Sequence, residues 1–74
     1  MLSPYNTYKV DYSYSHGGAK RSYDFDTAFA ASATEAVRIV RRWYSDMPDF
    51  RIERVYVETN RGWDIREWFE EDEL

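Results

Sequence analysis

Residues 32–44 read SATEAVRIVRRWY, and their apolar side chains recur with the spacing of an amphipathic helix. Ser32 and Glu35 have the spacing of a capping box, in which each side chain bonds to the backbone N–H of the other residue. Pro48 should prevent any continuation of the helix. We therefore expect a helix from Ala33 to about Ser45. Its single buried stripe would consist of Ala33, Ala36, Val37, Val40, Trp43, Tyr44 and Met47.

Two segments before this helix alternate with the period of a β-strand. The first covers residues 8–14, with Tyr8, Val10, Tyr12 and Tyr14 on one face. The second covers residues 21–29, with aromatic side chains at odd positions and Asp24 and Asp26 on the opposite face. Gly17-Gly18 marks a turn between them. The pattern predicts an antiparallel hairpin.

Two further strands are predicted after the helix, at residues 50–59 and 63–66. Phe50 and Ile52 would share one face of the first strand, whereas Val55 and Val57 would share the other. This change of phase near residues 53–54 predicts a β-bulge or burial on both faces. Asn60-Arg61-Gly62 is a turn, which would place Trp63 and Ile65 together on one face of the last strand.

The end of the chain also fits a second pattern. Ile65, Trp68 and Phe69 have helical spacing, and Asp64 with Glu67 would form a capping box. The glycine turn favours the strand at 63–66, and we expect the residues after it to be extended or to form a frayed turn. The sequence thus predicts one α+β domain over residues 1–74, of order ββαββ. Its four-stranded sheet would be mainly antiparallel, with one helix packed on one face.

Composition limits the classes of function. The chain has 74 residues and no cysteine, which excludes disulfides and thiolate metal sites and suits a reducing compartment. It has no apolar run long enough to cross a membrane and no signal-peptide pattern at its start. We therefore expect a cytoplasmic protein. The 14 aromatic residues exceed what one helix and a small sheet can bury, so the sheet face away from the helix could form a dimer seam.

The sequence argues against catalysis and against a cofactor. The single histidine, His16, lies beside the glycine turn, where neighbours offer little to position a general base. Asp24 and Asp26, with Asp11 across the hairpin, could bind a metal ion weakly. We instead expect these acids to solubilise the outer face of the sheet and to pair with a nearby base, either Lys9, Lys20 or Arg21. The prediction is a protein that is not an enzyme and has no metal or cofactor.

Negative charge is concentrated at the end of the chain. Residues 64–74 have a net charge of −5 and residues 1–63 a net charge of +1, which together give −4. Aromatic residues interleave with these acids, as expected of a docking surface more than of a solvated tail. We predict contact with a basic surface of another protein or of a nucleoprotein complex. The predicted partner-binding residues are Trp63, Trp68, Phe69, Glu70, Glu71, Asp72 and Glu73.

An alternative interface lies on the outward face of the helix. Arg38, Arg41 and Arg42 could neutralise three phosphates, which is enough for weak and salt-sensitive contact with nucleic acid. Two other interpretations remain open. The arginines could suit the dipole at the end of the helix, or the acidic tail could fold back onto them. The alternative function is therefore a small nucleic-acid-binding regulatory domain that uses this arginine face.

Two resemblances follow from this architecture. In size, charge, lack of cysteine and hairpin–helix–hairpin order, the whole chain resembles the small proteins that phages encode to inhibit host defence, anti-CRISPR proteins among them. That resemblance implies a stoichiometric inhibitor that binds a protein, often by occupying a nucleic-acid channel, and it carries over no functional residue. The strand pair leading into residues 32–37 is also similar to antitoxin-type β-β-α domains, although the Pro/Gly-rich segment before the helix is missing.

Overall fold

Four antiparallel strands and one helix make up the chain in this computed structural model, which describes residues 5–18 and 20–68. The elements are β1 Asn6–Tyr14, β2 Ser22–Ala30, α1 Ala33–Trp43, β3 Arg51–Thr59 and β4 Gly62–Arg66. The predicted α+β class and ββαββ order are confirmed. Each predicted strand is found within two residues of its expected ends, and the helix stops two residues earlier than expected.

The sheet has the strand order β2-β1-β3-β4, so β1 and β3 lie in the centre. These two strands supply fully buried side chains, including Val10 and Val55, which are directly paired. The helix leads from β2, at one edge, to β3 on the far side of β1. It packs on one face of the sheet, where Val37 and Val40 are buried against the strands. The core is a single layer between helix and sheet.

A β-bulge in β3 explains the change of phase in its sequence. Asp11 of β1 is paired with Arg54, but the next residue, Tyr12, is paired with Ile52. Glu53 is thus the extra residue, and it returns Ile52 and Phe50 to the face that carries Val55 and Val57. Both residues before the bulge pack against the core. The bulge predicted near residues 53–54 is confirmed.

The start of the helix is capped largely as predicted. Ser32 Oγ accepts a hydrogen bond from the backbone N–H of Glu35 at 3.1 Å. The return bond differs, because Glu35 Oε1 accepts from the N–H of Ala31 at 3.4 Å and not from Ser32. Ser32 has an extended backbone (φ −155°, ψ 163°), which leaves the Ala31 amide within reach of this carboxylate. The side chains still satisfy two amides at the helix start.

The prediction of buried residues was partly wrong for the last turn of the helix. Ala33, Ala36, Val37 and Val40 are buried as expected. Trp43 is 54% exposed, because the helix ends there and Tyr44 turns toward the core in its place. The rings of Tyr12, Tyr44 and Phe50 form a cluster with centroids 4.9–5.8 Å apart. This cluster closes one end of the core.

The orientation of β2 is opposite to the one predicted. Tyr8 is paired with Ala28 and Val10 with Asp26, and directly paired residues share a face of the sheet. The even positions of β2 therefore face the helix, and the aromatic odd positions face away. Asp24 and Asp26 do not solubilise the outer face.

Two features favour this orientation. Ala28 and Ala30 are buried beneath the helix, and their small side chains allow close approach of helix and sheet. Asp26, the carboxylate nearest the core, accepts hydrogen bonds from the hydroxyls of Tyr12 and Tyr44. These bonds offset the cost of removing the carboxylate from water. The expected pairing of the acids with basic residues is found for Asp11, which pairs with Lys9, but within residues 5–18 and 20–68 it is not found for Asp24 or Asp26, and Arg21 pairs with Asp49.

The capping geometry yields a stability prediction. Replacing Ser32 with Ala removes the acceptor for the Glu35 amide and should lower the free energy of unfolding by about 1 kcal/mol. Ser45→Ala is a matched control, because this exposed serine lies beyond the helix. Urea denaturation followed by circular dichroism measures both. Equal stability of the two variants would contradict the capping role of Ser32.

Candidate functional site

The face of the sheet opposite the helix carries large exposed side chains. We call it the open face. Its aromatic and aliphatic members come from β2, β3, β4 and the residue before β1, and they are Tyr5, Tyr23, Phe25, Phe29, Tyr56, Trp63 and Ile65. Tyr23 is 70% exposed, Phe29 63% and Ile65 60%. Isolated exposed apolar residues are ordinary, but such residues gathered on one face mark a site of interaction.

Lys9 is the centre of the open face. Its ammonium nitrogen lies 5.0 Å from the ring centroid of Phe25 and 4.9 Å from that of Tyr56. The cation–π contacts hold both rings in place across three neighbouring strands. The same nitrogen lies 3.8 Å from a carboxylate oxygen of Asp11. The open face therefore has a fixed polar centre, with aromatic side chains on both sides of it.

A pair of stacked rings and a cavity also lie on the open face. Tyr5 stacks on Phe29 with ring centroids 5.6 Å apart. A cavity of about 450 Å³ lies next to the polar centre, with Lys9, Asp11, Phe25 and Arg54 among its lining residues. This size is within the range of pockets that hold small ligands or a partner's side chain. The arrangement can receive a protruding side chain beside a charged pair.

A polar cluster closes one end of the open face. Ser13 is fully buried; its hydroxyl donates to Glu53 and accepts from Arg21 Nη1 at 2.9 Å. Arg21 also donates to the backbone carbonyl of Asp49 at 3.0 Å and forms an ion pair with its carboxylate. Asp49 has a positive φ of 50°, a conformation that such local bonds stabilise. These contacts tie β1, the bulge and the loop after the helix together.

Two tyrosines in the core, Tyr12 and Tyr44, have raised pKa values. Burial, followed by hydrogen bonds with Tyr44 and Asp26, raises the pKa of Tyr12 far above its ordinary value. The hydrogen bond to Asp26 likewise raises the pKa of Tyr44. Raised values keep both hydroxyls protonated as donors. This cluster is thus suited to holding the core together and not to supplying a nucleophilic phenolate.

The predicted partner-binding residues do not form one surface in the described part of the chain. Trp63 lies on the open face, since its neighbour Asp64 is paired with the core residue Val57. Trp68 is half-buried and packs against the core beyond the end of β4. Phe69, Glu70, Glu71, Asp72 and Glu73 lie outside the described residues. Trp63 and Ile65 share a face, as the hairpin interpretation predicted.

The helix arginines also differ in their surroundings. Arg38 and Arg42 are exposed. Arg41 is half-buried, and its guanidinium lies 5.8 Å from the ring centroid of Phe50. It is therefore turned toward the core and away from the outward face on which a nucleic-acid contact was predicted.

The described residues offer no arrangement that supports His16 as a general base or the three aspartates as a metal site. His16 is exposed and makes an edge contact with the ring of Tyr14 at 5.7 Å. Asp11 lies on the open face, opposite to Asp24 and Asp26, because it is paired with Phe25. The three acids therefore do not meet, and residues 5–18 and 20–68 contain no cluster of three potential metal ligands.

A second concave surface, the arginine groove, lies where β4 ends. It has a volume of about 630 Å³. Four arginines line it together with apolar side chains and one acid, and they are Arg41, Arg51, Arg54 and Arg66. The sequence does not place these residues together, because the groove depends on the β3 bulge and on the early end of β4.

Sequence reasoning missed the open-face aromatics of β2 as site residues. The alternation predicts that Tyr23, Phe25 and Phe29 face the core, whereas the structure places them on the open face. The signal that could have corrected this is the pair Ala28 and Ala30, since small residues at one phase suit contact with a helix. The excess of aromatic residues was the second signal, and it correctly indicated that some lie on the surface.

Comparison with known proteins gives no relative from which to assign a function. No protein-family model matches the chain, and no curated protein or solved structure matches it significantly. Among the described residues, no helix has the length and apolar character needed to span a membrane. The functional argument therefore depends on the surfaces described above.

The buried tyrosines give a pH prediction. Because the pKa of Tyr12 is raised in the folded state, unfolding releases its proton once the pH exceeds the ordinary tyrosine value of about 10. The free energy of unfolding should therefore fall as the pH rises above about 10, and Tyr12→Phe should reduce the slope of that fall. Urea titrations from about pH 8 to 11 measure it.

Tyr23→Phe is the control for this experiment, since Tyr23 is exposed on the open face. The control should keep the alkaline slope of the unchanged chain. A Tyr12→Phe variant with the same slope as the control would contradict the account of the Tyr12–Asp26–Tyr44 cluster.

Proposed function

We propose that this chain is a non-catalytic protein-binding module whose contact surface is the open face. The observation that carries the proposal is the set of exposed aromatic side chains around Lys9. Aromatic residues dominate the energetic centres of protein interfaces, where truncating one commonly costs 2 kcal/mol or more. A flat sheet face that presents several of them on a fixed backbone also loses little conformational entropy on binding.

The polar centre of the open face supports a partner that is a folded protein. The ion pair of Lys9 and Asp11 has aromatic side chains on both sides. A complementary partner surface therefore needs apolar area and a polar group near its middle. The combination of an apolar surround and a polar centre favours specific over promiscuous contact. The chemistry expected of the partner is thus an apolar surface with a central hydrogen-bonding group.

The more specific role remains a prediction. A phage-type inhibitor that blocks a nucleic-acid-handling host defence complex fits a small protein-binding chain, and it rests on the resemblance in size, charge and element order. The acidic and aromatic residues at 69–73 would add a contact to a basic surface of that complex. A homodimer through the open face is the simplest competing use of the same surface.

Site-specific photo-crosslinking tests the proposal. A photoreactive phenylalanine analogue at position 25 or 29 should give a discrete adduct with one protein in extracts of the native host. The same analogue at position 43 is the control, because Trp43 is exposed to a similar degree but lies on the helix. No adduct from the open face, or equal adducts from both faces, would overturn the assignment of the surface.

Sedimentation at two protein concentrations separates the partner from a second copy. The proposal expects a constant monomer mass across the concentrations used for crosslinking. A mass that doubles with concentration, and returns to the monomer value in Phe25→Ser/Phe29→Ser, would show that the open face is a dimer seam.

A further inference from the structure

We propose that the arginine groove binds an extended peptide with consecutive acidic residues, supplied by a partner protein. The groove is separate from most of the open face and lies at the sheet edge where β4 stops. Three properties of the described residues carry the inference: an unpaired strand edge, the positions of the arginines, and an apolar floor.

The strand edge comes from the difference in length between β3 and β4. β1 pairs with β3 along one edge from Arg51 to Val57. On the other edge, β4 pairs only from Val55, opposite Arg66, to Thr59. Within the described residues, the β4-side edge of residues 51–54 therefore has no strand partner. Such an edge can hydrogen-bond the main chain of an extended peptide.

The bulge limits how much of this pairing is available. Glu53 is the extra residue in β3, so a regular ladder of hydrogen bonds is interrupted after about two residues. Main-chain pairing alone would be weak on so short an edge. Side-chain contacts must therefore supply most of the affinity and the choice of peptide.

The arginines approach the edge from both faces of the sheet. Arg66 is paired with the core residue Val55, so it lies on the helix side, where Arg41 also lies. Arg54 and Arg51 are paired with Asp11 and Ser13, so both lie on the open-face side. No ion pair is formed by Arg54 or Arg66 with any residue in 5–18 or 20–68.

This placement selects a particular pattern of charge. Successive side chains of an extended peptide point to opposite faces. A run of consecutive acids would therefore direct carboxylates to both pairs of arginines, whereas acids at every second position would reach only one pair. Guanidinium–carboxylate pairs of this kind are the strong charge-assisted class. Glu67 is the one acid among the lining residues, and Asp49 forms an ion pair with Arg51 at 3.6 Å, so four arginines face two acids and the groove keeps a net positive charge.

The apolar floor favours a peptide over a nucleic acid. Phe50, Ile52 and Trp68 contribute half-buried side chains that already pack against the core. These side chains can contact the aliphatic part of a glutamate in the bound peptide. They are not exposed rings on which nucleic-acid bases would stack. The strand edge offers main-chain partners that only a peptide can match. Single-stranded nucleic acid is therefore the alternative to be excluded by experiment.

Fluorescence anisotropy with a labelled peptide tests the inference. The probe is Gly-Glu-Glu-Asp-Glu-Gly, and the protein is the full chain with residues 70, 71 and 73 changed to Gln and residue 72 to Asn. The unchanged chain is titrated in parallel. Binding to both proteins supports a partner peptide, whereas binding to the variant alone would assign the groove to the chain's own acidic run and overturn the proposal. We expect saturable binding that weakens as salt is raised. Absence of binding at low salt would overturn the proposal.

Matched charge reversals locate the site. Arg54→Glu/Arg66→Glu should weaken binding at least tenfold. Arg42→Glu/Arg61→Glu makes the same change in net charge at two exposed arginines outside the groove, and it should weaken binding by less than threefold. Equal losses in the two double variants would overturn the proposal. Arg54→Gln/Arg66→Gln replaces the first pair if circular dichroism shows that the reversal unfolds the chain.

Two competing probes test the geometry and the class of ligand. A peptide with the same charge but alternating Glu and Ser should bind at least threefold more weakly than the consecutive run. Equal binding would contradict the two-sided arrangement of the arginines. An oligothymidylate that binds more tightly than the peptide, and depends on Arg54 and Arg66, would assign the groove to nucleic acid instead.

Discussion

One short helix covers one face of a four-stranded sheet, and this constraint determines the rest of the structure. The helix spans 11 residues, Ala33–Trp43, and packs over β2, β1 and β3 with buried valines and alanines. It cannot cover both faces. The aromatic side chains on the other face therefore stay exposed, unless another molecule covers them. The core is small, and the aromatic cluster of Tyr12, Tyr44 and Phe50 completes it at one end.

The β3 bulge serves both the core and the groove. By shifting the phase at Glu53, it brings Ile52 and Phe50 beneath the helix, where they extend a core that would otherwise end at Val55. The same shift places Arg54 and Arg51 on the opposite side of the strand from these apolar residues. The groove at the end of β4 thus depends on the same bulge at Glu53 that lets Ile52 and Phe50 extend the core. A substitution that removes the bulge would alter both.

Local sequence patterns predicted the elements well because their periods are set by backbone geometry. The Ser32–Glu35 spacing, the strand alternation and the phase change at residues 53–54 each depend on neighbouring residues alone. Local patterns could not predict which face of β2 points toward the helix. Hydrophobicity placed Tyr23, Phe25 and Phe29 inward, whereas the helix packs on Ala28 and Ala30 instead. The strand order and the arginine groove depend on pairings between distant segments, so no local pattern contains them.

The sequence predicted that some aromatic side chains are exposed, but not where most of them lie. It indicated that aromatic residues exceed the capacity of the core, and Trp63 does lie on the exposed surface. It grouped Trp63 with Trp68, but the strand register separates them, because one lies on the open face and the other packs against the core. The predicted acidic contact lies at residues outside those described. Three of the seven large side chains on the open face, Tyr23, Phe25 and Phe29, were expected in the interior.

The central claim is that the open-face aromatics serve contact and not stability, and the stability of the double variant Phe25→Thr/Phe29→Thr tests it most directly. Threonine keeps the strand propensity of these positions. The account predicts a loss of less than about 1.5 kcal/mol in the free energy of unfolding, since surface substitutions change stability little. Val40→Ala in the core is the reference, with an expected loss of about 2 kcal/mol or more for a single substitution. A loss of about 4 kcal/mol or more in the double variant would mean that these rings are part of the core, and would contradict the account.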